Sequence, residues 1–201
     1  MTTPWTQLEG TSLWSCARAA HDAQAWRRYH GWSHPLHLYD LAGRVFGFDH
    51  DRSLDRAILA HDVVQGGPDP VGRSVSWLRE MCPDDRAEAL IASTHSHAPK
   101  AGQDNRMILL DLADFAWPEL ARRNTLLLEE EARLGLGWER PLFLRKTEDY
   151  LAGLADRVEA GAHGLDRFET EWFCMIAAGI RTTIREIRES RRATVDLRPS
   201  P

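Results

Sequence analysis

Ala57-Ile58-Leu59-Ala60-His61-Asp62-Val63-Val64 places an adjacent imidazole and carboxylate inside an otherwise apolar run. A carboxylate in such a setting has to be paired, hydrogen-bonded or bound to a cation, because leaving it uncompensated costs several kcal/mol. Leu54, Ile58 and His61 recur at helical spacing, which turns the imidazole toward the core and sets Asp62 one step round. The run therefore predicts a helix over 53–64 that carries a candidate metal site.

Outward from this stretch, the chain keeps a helical period. Leu13, Ala17, Ala20 and Trp26 predict a first amphipathic helix over about 8–29, ending near Gly31. Ser33 is a plausible N-cap and Pro35 fits a first turn, so a second helix is expected from His34 to Val45. Its stripe of His34, Leu38, Leu41 and Val45 points a second histidine inward. Downstream, Gly66-Gly67-Pro68-Asp69-Pro70 is the strongest breaker, read as a loop because helical signals resume within a few residues. Further helices are predicted at about 73–81, 84–96, 103–117, 119–134, 141–160 and 165–192, each bounded by Pro, Gly or a capping side chain. The last carries Phe168, Trp172, Phe173, Met175, Ile176, Ile180, Ile184 and Ile187 as a broad core stripe. Strand alternation is missing, so the expectation is an all-α, single-domain helical bundle over 1–201. Its motif-bearing core would span about 26–117, with helices of 119–192 packed on it and a frayed, Pro-rich tail at 193–201.

Composition narrows the function classes. A chain of 201 residues, 43% apolar, is long enough for one sizeable core and short enough to argue against two. A formal net charge of -5 provides no phosphate-tracking surface, which argues against nucleic acid as a partner. Three widely spaced cysteines without a CxxC pair fit a reducing compartment, and so a cytoplasmic protein, better than a disulfide framework or a thiolate zinc site. The N-terminus lacks signal-peptide character and no apolar run approaches the ~18 residues of a membrane span, so no membrane partner is expected. Eight Trp residues leave room for an apolar surface patch and a homodimer.

The candidate ligands in chain order are His34, the His61-Asp62 pair, and an aspartate in Met107-Ile108-Leu109-Leu110-Asp111-Leu112-Ala113-Asp114-Phe115. Helical phase leaves Asp111 and Asp114 both open, since Ile108/Asp111/Phe115 and Met107/Leu110/Asp114/Trp117 are both apolar stripes. Imidazole nitrogen with carboxylate oxygen suits a divalent transition ion (Mn, Fe, Co, Ni or Zn) better than calcium, which prefers oxygen alone. Asp49-His50-Asp51 also looks ligand-like but falls in a connecting segment and reads as solvated. Glu129-Glu130-Glu131 reads as an exposed helix face.

The order His, His-Asp, Asp on separate helices resembles the HD-domain superfamily of metal-dependent phosphohydrolases. Arg28-Tyr29-His30-Gly31-Trp32-Ser33-His34 is similar to the YHxxxH stretch of one bacterial branch of about two hundred residues. Ala57 to Val64 resembles its second motif, Ile91-Ala92-Ser93-Thr94-His95-Ser96-His97 its His-terminated third, and Leu109-Leu110-Asp111-Leu112-Ala113 its last. The resemblance implies a helical fold of HD type with His34, His61, Asp62 and Asp111 as metal ligands, Asp114 being the alternative to Asp111. It also implies hydrolysis of a phosphate ester or anhydride of a small phosphorylated metabolite or nucleotide. Asp62 would both bind the ion and orient the attacking water. Cationic donors for the phosphoryl oxygens would come from among Arg27, Arg28, Arg73, Lys100 and Arg106, with Arg73 and Lys100 ranked first. His30, His95 and His97 would contact substrate. The loop after the pair departs from the branch's acidic and amide segment, keeping only Asp69 and Ser74 as reminders of it. Two alternatives therefore accompany the first reading: a dinuclear iron oxygenase dependent on His95 or His97, and a catalytically degenerate binding or regulatory protein.

Overall fold

The structure, a computed structural model, describes residues 8–47 and 51–196. Asp49 and His50 of the ligand-like segment, and most of the Pro-rich tail, lie outside the described residues. Every regular element among those described is a helix, so the all-α expectation holds. None of the described helices is long and apolar enough to cross a membrane. The chain divides into two compact units, Met1–His97 with Gln103–Asp111, and Ala98–Gly102 with Leu112–Pro201.

The first unit is built from α1 (Ser12–Asp22), α2 (Ser33–Phe46), α3 (Arg52–Ala60), α4 (Pro70–Met81), α5 (Asp85–Ser93) and α6, which runs Arg106–Leu112. Helix α3 is its centre and packs on α1, α2, α4 and α5. The sequence explains this position, because Leu54, Ala57, Ile58, Leu59 and Ala60 point all round the helix and all are buried. Burial of each large aliphatic side chain there contributes about 1.5–3 kcal/mol. Asp51 caps the helix, accepting from the backbone N–H of Ser53 and Leu54.

Helix α3 stops at Ala60, not at Val64 as the periodicity predicts. His61 is its C-cap in helical geometry (φ -59°, ψ -33°), so the inward direction read from the spacing survives. The carbonyls of Asp62 and Val63 are instead taken by the Arg27 guanidinium at 2.9 and 3.0 Å, which is why the chain can leave the helix inside a buried run. Arg27 is available because α1 ends at Asp22 rather than near Tyr29. Asp69 adopts the left-handed conformation (φ 47°) and caps α4, which accordingly begins at Pro70 and not at Arg73.

The second unit contains a 3-10 turn (Ala113–Ala116), α7 (Pro118–Leu136), α8 (Arg140–Gly161) and α9 (Arg167–Asp196). Helix α9 packs on α8, on α7 and on the 3-10 turn. Phe173, Ile176, Ile180, Ile184 and Ile187 of its predicted stripe are buried, but Phe168 and Met175 are 43% and 47% exposed. Those two sit on the flank, where Trp172 packs edge-on against Trp117. Nor is the acidic run of α7 a uniformly exposed face. Glu131 is buried and Glu129 pairs with Arg140.

Candidate metal centre

Three segments of the first unit deliver the four candidate ligands. His34 stands in the first turn of α2 and is buried, with Tyr29 stacked at a tilt on its ring at a centroid distance of 4.6 Å. His61 and Asp62 follow the last turn of α3, and Asp111 comes from α6. One donor atom from each of His34, His61, Asp62 and Asp111 lies within 4.8 Å of all the others, the one such group found among the described residues.

The spacing suits a shared ion. Donors bonded at roughly 2.1 Å to one cation, at tetrahedral or octahedral angles, stand about 3.0–3.4 Å apart when adjacent. Here the two Nε2 atoms of His34 and His61 are 3.2 Å apart, and Asp62 Oδ2 is 3.1 Å from His61 Nε2 and 3.6 Å from His34 Nε2. Asp111 Oδ1 is 3.4 Å from His34 Nε2 and 3.8 Å from His61 Nε2. Two buried imidazole nitrogens this close cannot both carry protons, so they either share one proton in an N–H···N hydrogen bond or ligate one metal ion. His61 is oriented for the second role, since its Nδ1–H donates to the Ile58 carbonyl at 2.9 Å and turns Nε2 to the cluster side, where it would bind a metal once its proton leaves. The residues present therefore could hold a metal ion.

Electrostatics agree with the geometry. Burial alone would lower the His61 pKa, but Asp62 against its ring holds it up at about 9. His34, buried without so close a partner, is pushed down. Burial works to raise Asp62 and Asp111, yet the imidazoles around them keep both carboxyls well below the ordinary carboxylate range. The centre thus holds two ionised carboxylates, one neutral imidazole and one protonated imidazole at neutral pH.

The structure sorts the remaining predicted residues. Asp111 and not Asp114 joins the cluster; Asp114 lies in the 3-10 turn and accepts from Asn124 Nδ2 at 2.6 Å. His30 sits at the rim, its Nε2 3.9 Å from Asp62 Oδ2, and His97 Nε2 donates to Asp111 Oδ2 at 2.7 Å. His95 is exposed on the turn after α5. Arg73 is exposed and donates back to the Gly66 carbonyl at 3.1 Å, and Lys100 is exposed in the second unit. Arg106 is engaged by Asp104 and Asp51, and Arg28 by the carbonyls of Ala25 and Arg27. Asp69 and Ser74 of the altered loop have structural duties, Asp69 capping α4 and Ser74 accepting from the Val64 N–H at 3.2 Å.

Two contributors escaped the sequence reading. Gln65 Nε2 donates to Asp62 Oδ1 at 2.7 Å, and its position three residues after Asp62 was the available signal. His21 is buried on α1, its Nδ1 3.0 Å from the His30 carbonyl, and burial pushes its pKa down to about 4. No signal in the sequence separates it from an ordinary exposed histidine.

Comparison with protein-family models, with curated proteins and with solved structures finds no match to this chain.

Proposed function

We propose that this chain is a metal-dependent phosphohydrolase of HD type, acting on the phosphate ester or anhydride of a small phosphorylated metabolite or nucleotide. The observation that carries the reading is the convergence of His34, His61, Asp62 and Asp111, four residues from separated motifs, with donor spacings suited to one ion. The motif order that resembles the HD superfamily supports it independently of the geometry. His34 and His61 would supply nitrogen through Nε2, and Asp62 and Asp111 one oxygen each. A divalent ion bound there lowers the pKa of a coordinated water toward neutrality and polarises a phosphoryl oxygen.

The protein's own groups have distinct tasks. The slightly exposed rim is formed by His30, Asp62, Asp111 and His97, whereas His34 and His61 are almost fully covered, so substrate would approach from the carboxylate side. His30 is placed to donate to a phosphoryl oxygen from that rim. Asp62 orients water through Oδ2 while Gln65 keeps the carboxylate from rotating. Arg27 has a supporting task instead of contacting substrate, because its guanidinium is buried on the carbonyls of Asp62, Val63 and His30.

Elemental analysis of purified protein, followed by a phosphate-ester and anhydride screen with Mn, Co, Ni and Mg, tests the reading. One transition ion per chain and turnover of at least one phosphorylated compound are expected, and His61→Ala and Asp62→Ala should abolish both. Hydrolysis that persists after complete metal loss in either variant overturns the mechanism. Two irons per chain with an oxygen-dependent activity would favour the oxygenase alternative.

A further inference from the structure

Both ligand carboxylates are held in the same way. Asp62 turns Oδ2 toward His61 and His34, at 3.1 and 3.6 Å, while its Oδ1 accepts from Gln65 Nε2 at 2.7 Å. Asp111 turns Oδ1 toward His34 and His61, at 3.4 and 3.8 Å, while its Oδ2 accepts from His97 Nε2 at 2.7 Å. Each carboxylate therefore presents one oxygen to the centre and has the other tied by a side-chain N–H. We propose that Gln65 and His97 are positioning residues that set the metal selectivity of this centre, restricting each carboxylate to a single donor oxygen.

The chemistry of the ions makes this restriction selective. Two imidazole nitrogens and two single oxygens satisfy a transition ion, which accepts mixed nitrogen and oxygen donors at low coordination number. Calcium takes six to eight oxygens and commonly uses both oxygens of a carboxylate, which the Gln65 and His97 donors deny it. Neither residue belongs to the four-donor group itself. His97 also occupies the left-handed backbone region at φ 49°, where glycine would sit without strain. From that backbone position its ring reaches Asp111 Oδ2 at 2.7 Å.

The inference rests on the metal-centre reading, and the test separates the two. The full chain, freed of metal with a chelator, is titrated calorimetrically with Mn(II) and with Ca(II), beside Gln65→Ala, His97→Ala, His97→Gln, His97→Gly and the double alanine variant. Mn(II) affinity should fall by about 10–100-fold in each single alanine variant. Ca(II) affinity should hold or rise, so that the preference narrows, and furthest in the double variant. His97→Gln, whose amide can reach the former Nε2 position, should recover the preference. His97→Gly should melt no lower than His97→Ala in the metal-free state, because it relieves the backbone, and yet show the same narrowed preference. Equal losses for both ions, or undiminished Mn(II) affinity in the alanine variants, overturn the proposal. A wild-type chain that binds neither ion instead overturns the metal centre on which it stands.

Discussion

His61 is the residue on which the chemistry of the centre turns, and its proton gives a direct handle. Its pKa is held near 9 by Asp62 against an ordinary value of 6.5, so at neutral pH the folded protein keeps a proton on the nitrogen that a metal would need. Asp62 and Asp111 are already ionised and His34 already neutral at that pH, so their protonation states do not change. Loading a metal at pH 7 should therefore release about one proton, and apparent affinity should rise by about tenfold per pH unit until pH approaches 9, then level off. Titration in buffers of different ionisation enthalpy counts that proton; flat affinity between pH 7 and 9 with no proton released would contradict the assignment. The residues of the cluster were legible in the sequence as candidates, His34, His61 and Asp62 singly and the fourth as either of two aspartates, because an ionisable group in an apolar stripe has to be compensated. Helical phase did not choose Asp111 over Asp114, since both lie on apolar stripes; the motif resemblance pointed to Asp111, and the change from α-helix to 3-10 turn after Leu112 is what separates the two in space. The work of Gln65, His97 and Arg27 was equally hidden, because it depends on loop backbone that periodicity does not encode.

At the scale of elements, what the sequence shows well is the existence of helices, and what it shows poorly is where they stop. Apolar periodicity runs on through Val64, yet α3 ends at Ala60 because a buried guanidinium from another segment satisfies the next carbonyls. An element that ends on a tertiary contact leaves no local signal, whereas α4 ends its approach loop on Asp69-Pro70, a local cap that could be read. Helix packing in the second unit brings a sharper consequence. A Cβ at Gly179 of α9 would lie 1.7 Å from the Phe115 carbonyl oxygen and 2.5 Å from its carbon. Gly179→Ala gains up to about 1 kcal/mol of helix propensity. It must also displace the backbone of the 3-10 turn, and overpacking of this kind costs about 1–3 kcal/mol or more. The clash should win. A net drop in stability is expected, read as a lower urea midpoint at unchanged slope, while a variant as stable as the parent would mean that α9 and the turn do not approach so closely.

On the scale of the whole molecule, the chain passes between the two units three times, on either side of Ala98–Gly102 and again between Asp111 and Leu112, the last crossing lying inside a helix and inside the last motif. Composition could not reveal that last crossing, for no Pro-, Gly- or Ser-rich linker marks it, and an apolar run from Met107 to Ala113 reads as one core element. The boundary matters because His34, His61, Asp62 and Asp111, together with Gln65 and His97, all belong to the first unit. A ligand that binds the folded form alone stabilises it by about 2.7 kcal/mol at one hundred times its dissociation constant. Saturating metal should therefore raise the melting temperature, and the added protection should be concentrated in the segments that carry ligands. Hydrogen exchange is expected to slow most at 31–46, 57–66 and 106–111, where closing the ligands round an ion suppresses the local openings that expose those amides. His61→Ala should lose this protection while keeping the metal-free exchange pattern elsewhere. Slowing confined to segments outside the ligand-bearing ones, with those three unchanged, would mean that the ion binds as a loose surface counterion and that the converging donors serve only to pair with one another.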